Sequence, residues 1–278
     1  MPEPTPPPGV ADRLVTAPVA PGDPRVLVPC RHDHDPPPGR SMTLQRERRA
    51  DGVEVLRIDR PQQRNALDTA TLVRLNQALD ELSQDPALRV LVLSTTSVDG
   101  FCAGADVGEV LDVAGGVARM EAFTELYRRV ELVPVPTIAV CVGSCVGAGA
   151  EIVTGCDLRV GGDNLRLAWA GARLGVPVGP ARLTQLVGLG RAKDLVYTGR
   201  PVDADRALAL GLVGEVVPAA EAEAAAVTLA ERLVRQSPEG LRQLKAMFRD
   251  LEGTEARIAH ENELLMDFQR HGAGLPQG

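Results

Sequence analysis

The sequence predicts an α/β fold with a helical C-terminal region, on three observations. Apolar runs such as 89–94 and 137–143 are typical of strands that are buried on both faces of a sheet. Segments with apolar residues at helical spacing alternate with these runs as far as residue 218. From residue 219 onward only the helical spacing remains. We therefore expect a strand–helix core at 42–218 and a helical region at 219–278.

The individual elements follow from local patterns. The stretch "VEVLRID" predicts a strand, and Asp68 can cap a helix in which leucines recur from Leu72 to Leu82. Downstream, the same criteria predict a helix at 116–132, a short buried helix at 147–155, strands near 157–162 and 165–170, and helices at 179–187, 191–197, 203–210, 219–236, 238–252 and 255–270.

Residues 1–41 differ in composition from the rest of the chain. "PEPTPPPGV" and "HDHDPPPGR" are rich in proline and lack periodicity, which predicts a disordered tail. Cys30, His32 and His34 could be metal ligands, but no second cluster of ligands accompanies them. We therefore predict no metal site.

Composition excludes several classes of function. A net charge of -7 and 3% aromatic residues leave neither a basic face nor a stacking set for nucleic acid. No apolar run approaches the ~18 residues of a membrane span, and the N-terminus lacks a secretory leader. The five cysteines lie mostly in apolar runs, which favours free thiols in a reducing compartment. The expected location is the cytoplasm.

Two stretches share one local pattern, a buried strand followed by a turn of small residues and a helix. They are "VLVLSTTSVDGFCAGAD" and "TIAVCVGSCVGAGAE". Small side chains let a ligand approach the backbone, and the first N–H groups of a helix have no intrahelical acceptor. Two such amides on one oxygen would form an oxyanion hole. The alternative is a pair of tight connections that bind no ligand.

The pair of stretches carries a family resemblance. "RPQQRNALD", "FCAGADVGEV", "PTIAVCVGSCVGAGAEIVTGCDLRV", "ARLGVPVG" and "LVYTGRPVDADRALALGLVGEVVP" resemble the crotonase superfamily, also called the enoyl-CoA hydratase/isomerase family. The resemblance implies a ββα spiral core with C-terminal helices for oligomerisation, assembled as a homotrimer or homohexamer. It also implies an acyl-coenzyme A substrate and no separate cofactor.

The resemblance assigns site residues one by one. The N–H groups of Ala105 and Ala148 fall where the family places its oxyanion donors, and Glu151 matches the first catalytic glutamate. Burial of Glu151 in an apolar helix start would raise its pKa and suit proton transfer, whereas the alternative is a first-turn residue that favours the helix dipole. The positions expected to contact substrate are Arg64, Ala66, Ala103, Asp106, Gly147, Trp169 on the acyl pocket wall, and Gly171. Gly108 stands where relatives often have a lysine for a coenzyme A phosphate, and the candidates to replace that lysine, within the chain or across a subunit contact, are Lys245 and Arg249.

The second catalytic glutamate of family hydratases is missing. Gly171 stands at its position, the following loop is about three residues short, and no carboxylate occurs between Asp163 and Asp194. Candidates to compensate are Tyr127, Glu125 and Asp112 on the segment that borders the pocket, or a water or small anion beside Gly171. A surface or subunit-contact role is expected for three residues of the last helix, His260, Glu261 and Glu263.

We predict the hydration of a 2-enoyl-CoA. The alternatives are an isomerase, decarboxylase or hydrolase that uses the same oxyanion hole, and a non-catalytic acyl-CoA-binding protein.

Overall fold

A computed structural model describes residues 43–275, and the predicted tail, with Cys30, lies outside the described residues. The strands in chain order are β1 (Leu44–Arg48), β2 (Val53–Ile58), β3 (Val90–Thr95), β4 (Thr137–Cys141), β5 (Ser144–Val146), β6 (Leu158–Gly162), β7 (Arg166–Ala168), β8 (Val202–Asp203) and β9 (Glu215–Val217). One sheet has the order β1-β2-β3-β4-β6-β9 and a smaller one the order β5-β7-β8. In the larger sheet every pair from β2 to β9 is parallel, whereas β1 runs antiparallel to β2.

The helices confirm the predicted alternation and the helical C-terminal region. They are α1 (Thr69–Gln84), α2 (Val113–Leu132), α3 (Ala148–Gly155), α4 (Gly171–Leu174), α5 (Pro180–Val187), α6 (Leu189–Thr198), α7 (Ala204–Ala209), α8 (Ala222–Leu233), α9 (Pro238–Glu252) and α10 (Thr254–His271). The Asp68 carboxylate caps α1 by accepting a hydrogen bond from the Thr71 N–H, as the sequence predicts. The helix predicted at 219–236 is divided, because a 3-10 turn at Ala219–Glu221 precedes α8.

The larger sheet is buried on both faces, which explains its continuous apolar strands. Side chains alternate across β3, so Val90 and Val92 join the core under α8, whereas Leu91 and Leu93 join the main core on the opposite face. The helices α1, α2 and α3 contribute to that main core. Each fully buried Val or Leu side chain contributes about 1.5–3 kcal/mol to folding. Burial on both faces therefore fixes the strands from whose ends the site is built.

Four of the five cysteines, Cys102, Cys141, Cys145 and Cys156, are buried free thiols. None of the helices within residues 43–275 has the length and apolarity that crossing a bilayer would need.

Candidate active site

The first glycine turn of the site follows β3 and ends at Ala105. Gly104 has φ 103°, and a Cβ atom there would lie 3.1 Å from the Val146 carbonyl oxygen. On either side of Ala105, the Leu67 N–H donates to the Gly104 carbonyl at 2.8 Å and the Asp106 N–H donates to the Leu67 carbonyl at 2.9 Å. The Ala105 peptide is thereby fixed, and its own N–H has no acceptor among residues 43–275.

The second glycine turn joins β5 to α3. Gly147 has φ 54° and ψ -117°, and its N–H donates to the Ala168 carbonyl at 3.0 Å. Because α3 begins at Ala148, the Ala148 N–H is one of the helix-start donors without an intrahelical acceptor. Ala148 N lies 3.8 Å from the point that a Cβ on Gly104 would occupy. The two turns are therefore close neighbours.

Backbone hydrogen bonds hold the two turns side by side. The Cys102 N–H donates to the Ser144 carbonyl and the Val146 N–H donates to the Cys102 carbonyl, both at 3.0 Å. Ala105 and Ala148 line the same cavity. Two unpaired N–H groups on one cavity, each directly after a glycine with positive φ, have the arrangement of an oxyanion hole.

The cavity has a volume of about 210 Å³ and a largely apolar wall. Its lining residues are Ala103, Gly104, Ala105, Val107, Met120, Phe123, Tyr127, Val146, Gly147, Ala148, Ala170, Gly171, Arg173, Leu174, Val176, Val178, Leu265 and Leu275. The wall suits an acyl chain. Among these described residues Tyr127 and Arg173 are the polar side chains, and no carboxylate is present.

Tyr127, Glu125 and Asp112, the three side chains expected from the sequence as possible second acid/base groups, lie in different places. Tyr127 lies on the cavity wall. Glu125 instead pairs with Arg128 at 2.8 Å, and Asp112 caps α2 by accepting from the Gly115 N–H. Tyr127 is therefore the one of the three that reaches the cavity.

Glu151 lies behind the cavity wall rather than on it. Its side chain is fully buried, and its Oε2 accepts a hydrogen bond from Arg182 Nη1 at 3.0 Å. Its Oε1 has no hydrogen-bond partner among the described residues. That oxygen lies 3.5 Å from the point that a Cβ on Gly179 would occupy, next to the cavity-lining Val178. Oε1 is therefore the oxygen of Glu151 that is free to exchange a proton.

Burial raises the pKa of Glu151 to about 8. Arg182 opposes this shift, whereas the carboxyl groups of Glu261 and Glu131 add to it. A carboxyl group with such a pKa is suited to proton transfer near neutral pH.

Arg182, Glu131 and Glu261 form the part of the site that the sequence did not reveal. Arg182 Nη1 also donates to Glu261 Oε1, and Arg182 Nε lies 2.8 Å from Glu131 Oε1. Glu261 is buried, which corrects its expected surface or subunit-contact role, while His260 and Glu263 beside it are exposed. No local sequence pattern indicates this cluster, because Glu151 lies 31 residues and Glu261 lies 79 residues from Arg182 along the chain.

Gly171 lines the cavity at the start of α4, in a place without room for a side chain. A Cβ atom there would lie 2.7 Å from the Val176 carbonyl oxygen and 3.0 Å from a Val178 methyl group. The Gly171 carbonyl accepts from the Val176 N–H at 2.9 Å, which closes this short loop on itself. The loop from Val176 to Val178 therefore leaves room only for glycine at this position.

Three of the expected substrate contacts shape the site from outside the cavity. Arg64 has φ 52° and an exposed side chain, and its carbonyl accepts from the Ala103 N–H at 3.1 Å. The Ala66 carbonyl accepts from the Arg60 guanidinium. Asp106 pairs with that same Arg60 at 3.1 Å. These residues hold the first glycine turn in place, whereas Ala103, Gly147 and Gly171 lie on the cavity wall.

Trp169 and Lys245 do not lie where the sequence analysis places them. Trp169 is fully buried in the main core rather than on the acyl pocket wall, because its ring packs beside Gly179. Lys245 is buried and donates to Asp157 Oδ2 at 2.7 Å and to the Val135 carbonyl at 2.9 Å. These bonds occupy its ammonium group, so it is not a free phosphate ligand in this conformation.

A sequence model described as enoyl-CoA hydratase/isomerase matches residues 48–273. Among curated proteins, a short-chain-enoyl-CoA hydratase from Clostridium acetobutylicum is 34% identical over 191 residues, which are 67% of this chain and 73% of that protein. A 2,3-dehydroadipyl-CoA hydratase from Escherichia coli is 31% identical over 217 residues, which are 76% of this chain and 85% of that protein.

Solved structures show the same similarity. The crystal structure of an enoyl-CoA hydratase from Bacillus anthracis superimposes with a TM-score of 0.72 at 27% identity, over 85% of this chain and all of that one.

Proposed function

The chain belongs to the enoyl-CoA hydratase/isomerase family, and we propose that it hydrates a 2-enoyl-CoA thioester. The observation that carries the proposal is the pair of unpaired N–H groups, Ala105 and Ala148, on one apolar cavity. Water addition to the double bond moves electron density onto the thioester oxygen. Two fixed N–H groups would stabilise that charge.

Glu151 is the proposed acid/base group. Hydration places hydroxide on the β-carbon and a proton on the α-carbon, so Glu151 Oε1 would take one proton from water and return one to the substrate. Glu151 is then unchanged over a turnover, and one carboxyl group suffices. Because Oε1 lies behind Val178 and Gly179, the proposal includes a substrate-induced movement of loop 175–179 that brings this oxygen to the cavity.

Turnover of crotonyl-CoA tests the proposal. We expect Glu151→Gln to lower kcat by about 10²–10⁴-fold, the usual contribution of a general acid/base, while acyl-CoA binding measured by calorimetry persists. Glu125→Gln is the matched control, because Glu125 pairs with Arg128 away from the cavity, and we expect it to retain turnover. Full activity of a folded Glu151→Gln variant would remove Glu151 from the mechanism.

A non-catalytic acyl-CoA-binding protein is the second candidate. The observation that favours it is the position of Glu151, which is ion-paired and off the cavity wall. This candidate predicts acyl-CoA binding without hydration, isomerisation, decarboxylation or hydrolysis by the wild-type protein. The same crotonyl-CoA assay, beside a binding titration, separates the two.

The proposed assembly is a homotrimer or homohexamer. Helix α9 exposes four large apolar side chains, Leu244, Met247, Phe248 and Leu251, and such a face favours a protein contact. Sedimentation of the wild type and of Phe248→Asp tests this, with a smaller species expected for the variant. Cytoplasmic location is also proposed, because buried free thiols suit a reducing compartment.

A further inference from the structure

Arg182 binds three carboxyl groups from three different helices, in a cluster that we call the Arg182 cluster: Arg182, Glu131, Glu151 and Glu261. Arg182 Nη1 donates to Glu151 of α3 at 3.0 Å and to Glu261 of α10, and its Nε lies 2.8 Å from Glu131 of α2. All four side chains are at least nine-tenths buried. One guanidinium group is therefore the shared ion-pair partner of three carboxyl groups in a region shielded from water.

The charges of the Arg182 cluster do not balance when every acid is ionised. Three carboxylates and one guanidinium leave two negative charges in the interior, and buried charge without a counter-ion is strongly unfavourable. Tyr127 packs its ring 4.8 Å from the Arg182 guanidinium carbon, and burial raises the pKa of this phenol well above its usual value, so it stays neutral. The cluster therefore retains a proton on a carboxyl group.

Hydrogen bonding identifies the acid that keeps the proton. Glu261 Oε2 accepts from the Gly179 N–H at 3.0 Å and the Ala181 N–H at 2.9 Å, and its Oε1 accepts from Arg182. Three donors stabilise the ionised form. Glu151 has one donor on Oε2 and none on Oε1 among the described residues. Glu131 Oε1 accepts no hydrogen bond among them either, and burial raises the pKa of Glu131 to about 7 and that of Glu151 to about 8. As the pH rises, Glu131 therefore ionises before Glu151, which keeps its proton longest.

The other surroundings of Glu151 bring no further charge. Strands β4 and β5, which pack against α3, contribute the thiols of Cys141 and Cys145 and no ionised side chain. Arg257 and Glu252 lie farther out and act mainly on Glu131, with opposite signs. The charge state of Glu151 thus depends on Arg182 and on the two acids that share it.

We propose that Glu131 is a positioning residue that raises the pH at which Glu151 ionises, by sharing the Arg182 guanidinium. The negative charge of Glu131 offsets part of the positive charge that would otherwise ionise Glu151. The inference rests on the proposed role of Glu151 as the acid/base group. Because Glu151 must be ionised to take a proton from water, activity should rise as the pH rises through the Glu151 midpoint.

Infrared titration tests the proposal without requiring turnover. The carbonyl stretch of a protonated carboxyl group is separate from carboxylate bands, and its loss in Glu151→Gln assigns it to Glu151. We expect Glu131→Gln to move the midpoint of this band to lower pH by at least about one unit, a tenfold change in proton affinity. Glu131→Asp, which keeps the charge, should restore most of the wild-type midpoint.

Two controls keep the test specific. Glu54→Gln removes a different buried acid, one paired with Arg46 and Arg48, and should leave the Glu151 midpoint unchanged. Glu131→Thr removes the same charge with a smaller side chain, and replaces Glu131→Gln where that variant does not fold. An unchanged midpoint in either folded, uncharged variant overturns the proposal.

A pH profile of kcat/KM separates this proposal from the hydratase proposal. With hydration present, kcat/KM rises with pH through the Glu151 midpoint, and this rise should move to lower pH in Glu131→Gln by the amount seen in the infrared titration. Absent hydration with a shifted infrared midpoint sinks the hydratase proposal and upholds the role of Glu131 in Glu151 protonation. Normal hydration with an unshifted midpoint upholds the hydratase proposal and contradicts the role of Glu131.

Discussion

Two positions in the first turn of α3, which we call the backbone end (Ala148) and the packed end (Glu151 with the Arg182 cluster), are built in opposite ways. At the first residue, Ala148, the proposed functional group is a backbone N–H on an apolar cavity, directly after a glycine turn. Later in the same turn, Glu151 is a side chain that is buried among charged groups from three other helices. The first end depends on local chain geometry and the second on packing between distant segments. We therefore expect substitutions at the backbone end to lower the turnover rate and substitutions at the packed end to lower the free energy of unfolding.

The largest expected effect is on the packed end. Arg182→Met leaves Glu131, Glu151 and Glu261 without their shared cation, and breaking a buried ion pair on one side typically costs about 3–5 kcal/mol of unfolding free energy. Urea denaturation of the variant and the wild type measures this loss. Arg128→Met is the control, because Arg128 is about half exposed and pairs only at the surface, where a loss below about 1 kcal/mol is expected. Equal losses would contradict the role given to the Arg182 cluster.

A substitution that removes the backbone donor should lower kcat while the stability of the protein stays nearly constant. Proline is tolerated at the first position of a helix, so Ala148→Pro removes the donor while keeping α3. We expect a loss of about 10²–10³-fold in kcat, typical of one oxyanion donor. Stopped assays on crotonyl-CoA and a thermal melt give the two readouts.

The matched control for that prediction is Ala148→Ser, which retains the N–H group. Turnover near the wild-type level is expected from it. Wild-type turnover in a folded Ala148→Pro protein would show that this N–H does not hold the thioester oxygen.

The backbone end could be predicted from the sequence because its determinants are contiguous. Gly104-Ala105 lies in the loop that follows β3, and Gly147-Ala148 directly follows β5. Both glycines have a positive φ, a local requirement that favours glycine. The burial of Glu151 could also be predicted from its apolar neighbours on α3. The structure agrees that burial raises its pKa.

The packed end could not be predicted, since no local pattern distinguishes its members. Arg182 lies two residues after the proline that begins α5, and Glu261 directly follows the exposed His260 on α10. Which arginine meets which acids is decided by how α2, α3, α5 and α10 pack. Trp169 shows the same limit, because its place behind Gly179 depends on the path of a later loop.

Gly171 tests how tightly the wall of the cavity is packed, because the stability of a Gly171→Ala protein measures the room for a Cβ atom there. A Cβ atom there meets the Val176 carbonyl at 2.7 Å, so Gly171→Ala should cost about 1–3 kcal/mol, the usual range for overpacking. Gly190→Ala is the control, since nothing lies within 4 Å of its Cβ position, and no loss is expected. The clash also means that Gly171→Glu should not simply add a second acid to the cavity, and its crotonyl-CoA turnover should stay at or below wild type. A Gly171→Ala protein as stable as wild type would show that the loop yields easily.

The most gradual expected effect, spread over several pH units, is the pH dependence of stability that the packed end imposes. Burial holds the pKa of Glu151 near 8, above its ordinary value of 4.5. Between these values the folded protein keeps a proton that the unfolded chain has lost, so the free energy of unfolding falls as the pH rises through the window, by at most about 1.4 kcal/mol per pH unit for one proton. Glu151→Gln cannot titrate and should show a shallower decline in urea denaturation across that window, whereas Glu125→Gln should keep the wild-type slope. Parallel curves for Glu151→Gln and wild type would mean that Glu151 ionises as readily in the folded protein as in the unfolded chain, and the packed end would then differ from the backbone end in geometry but not in charge.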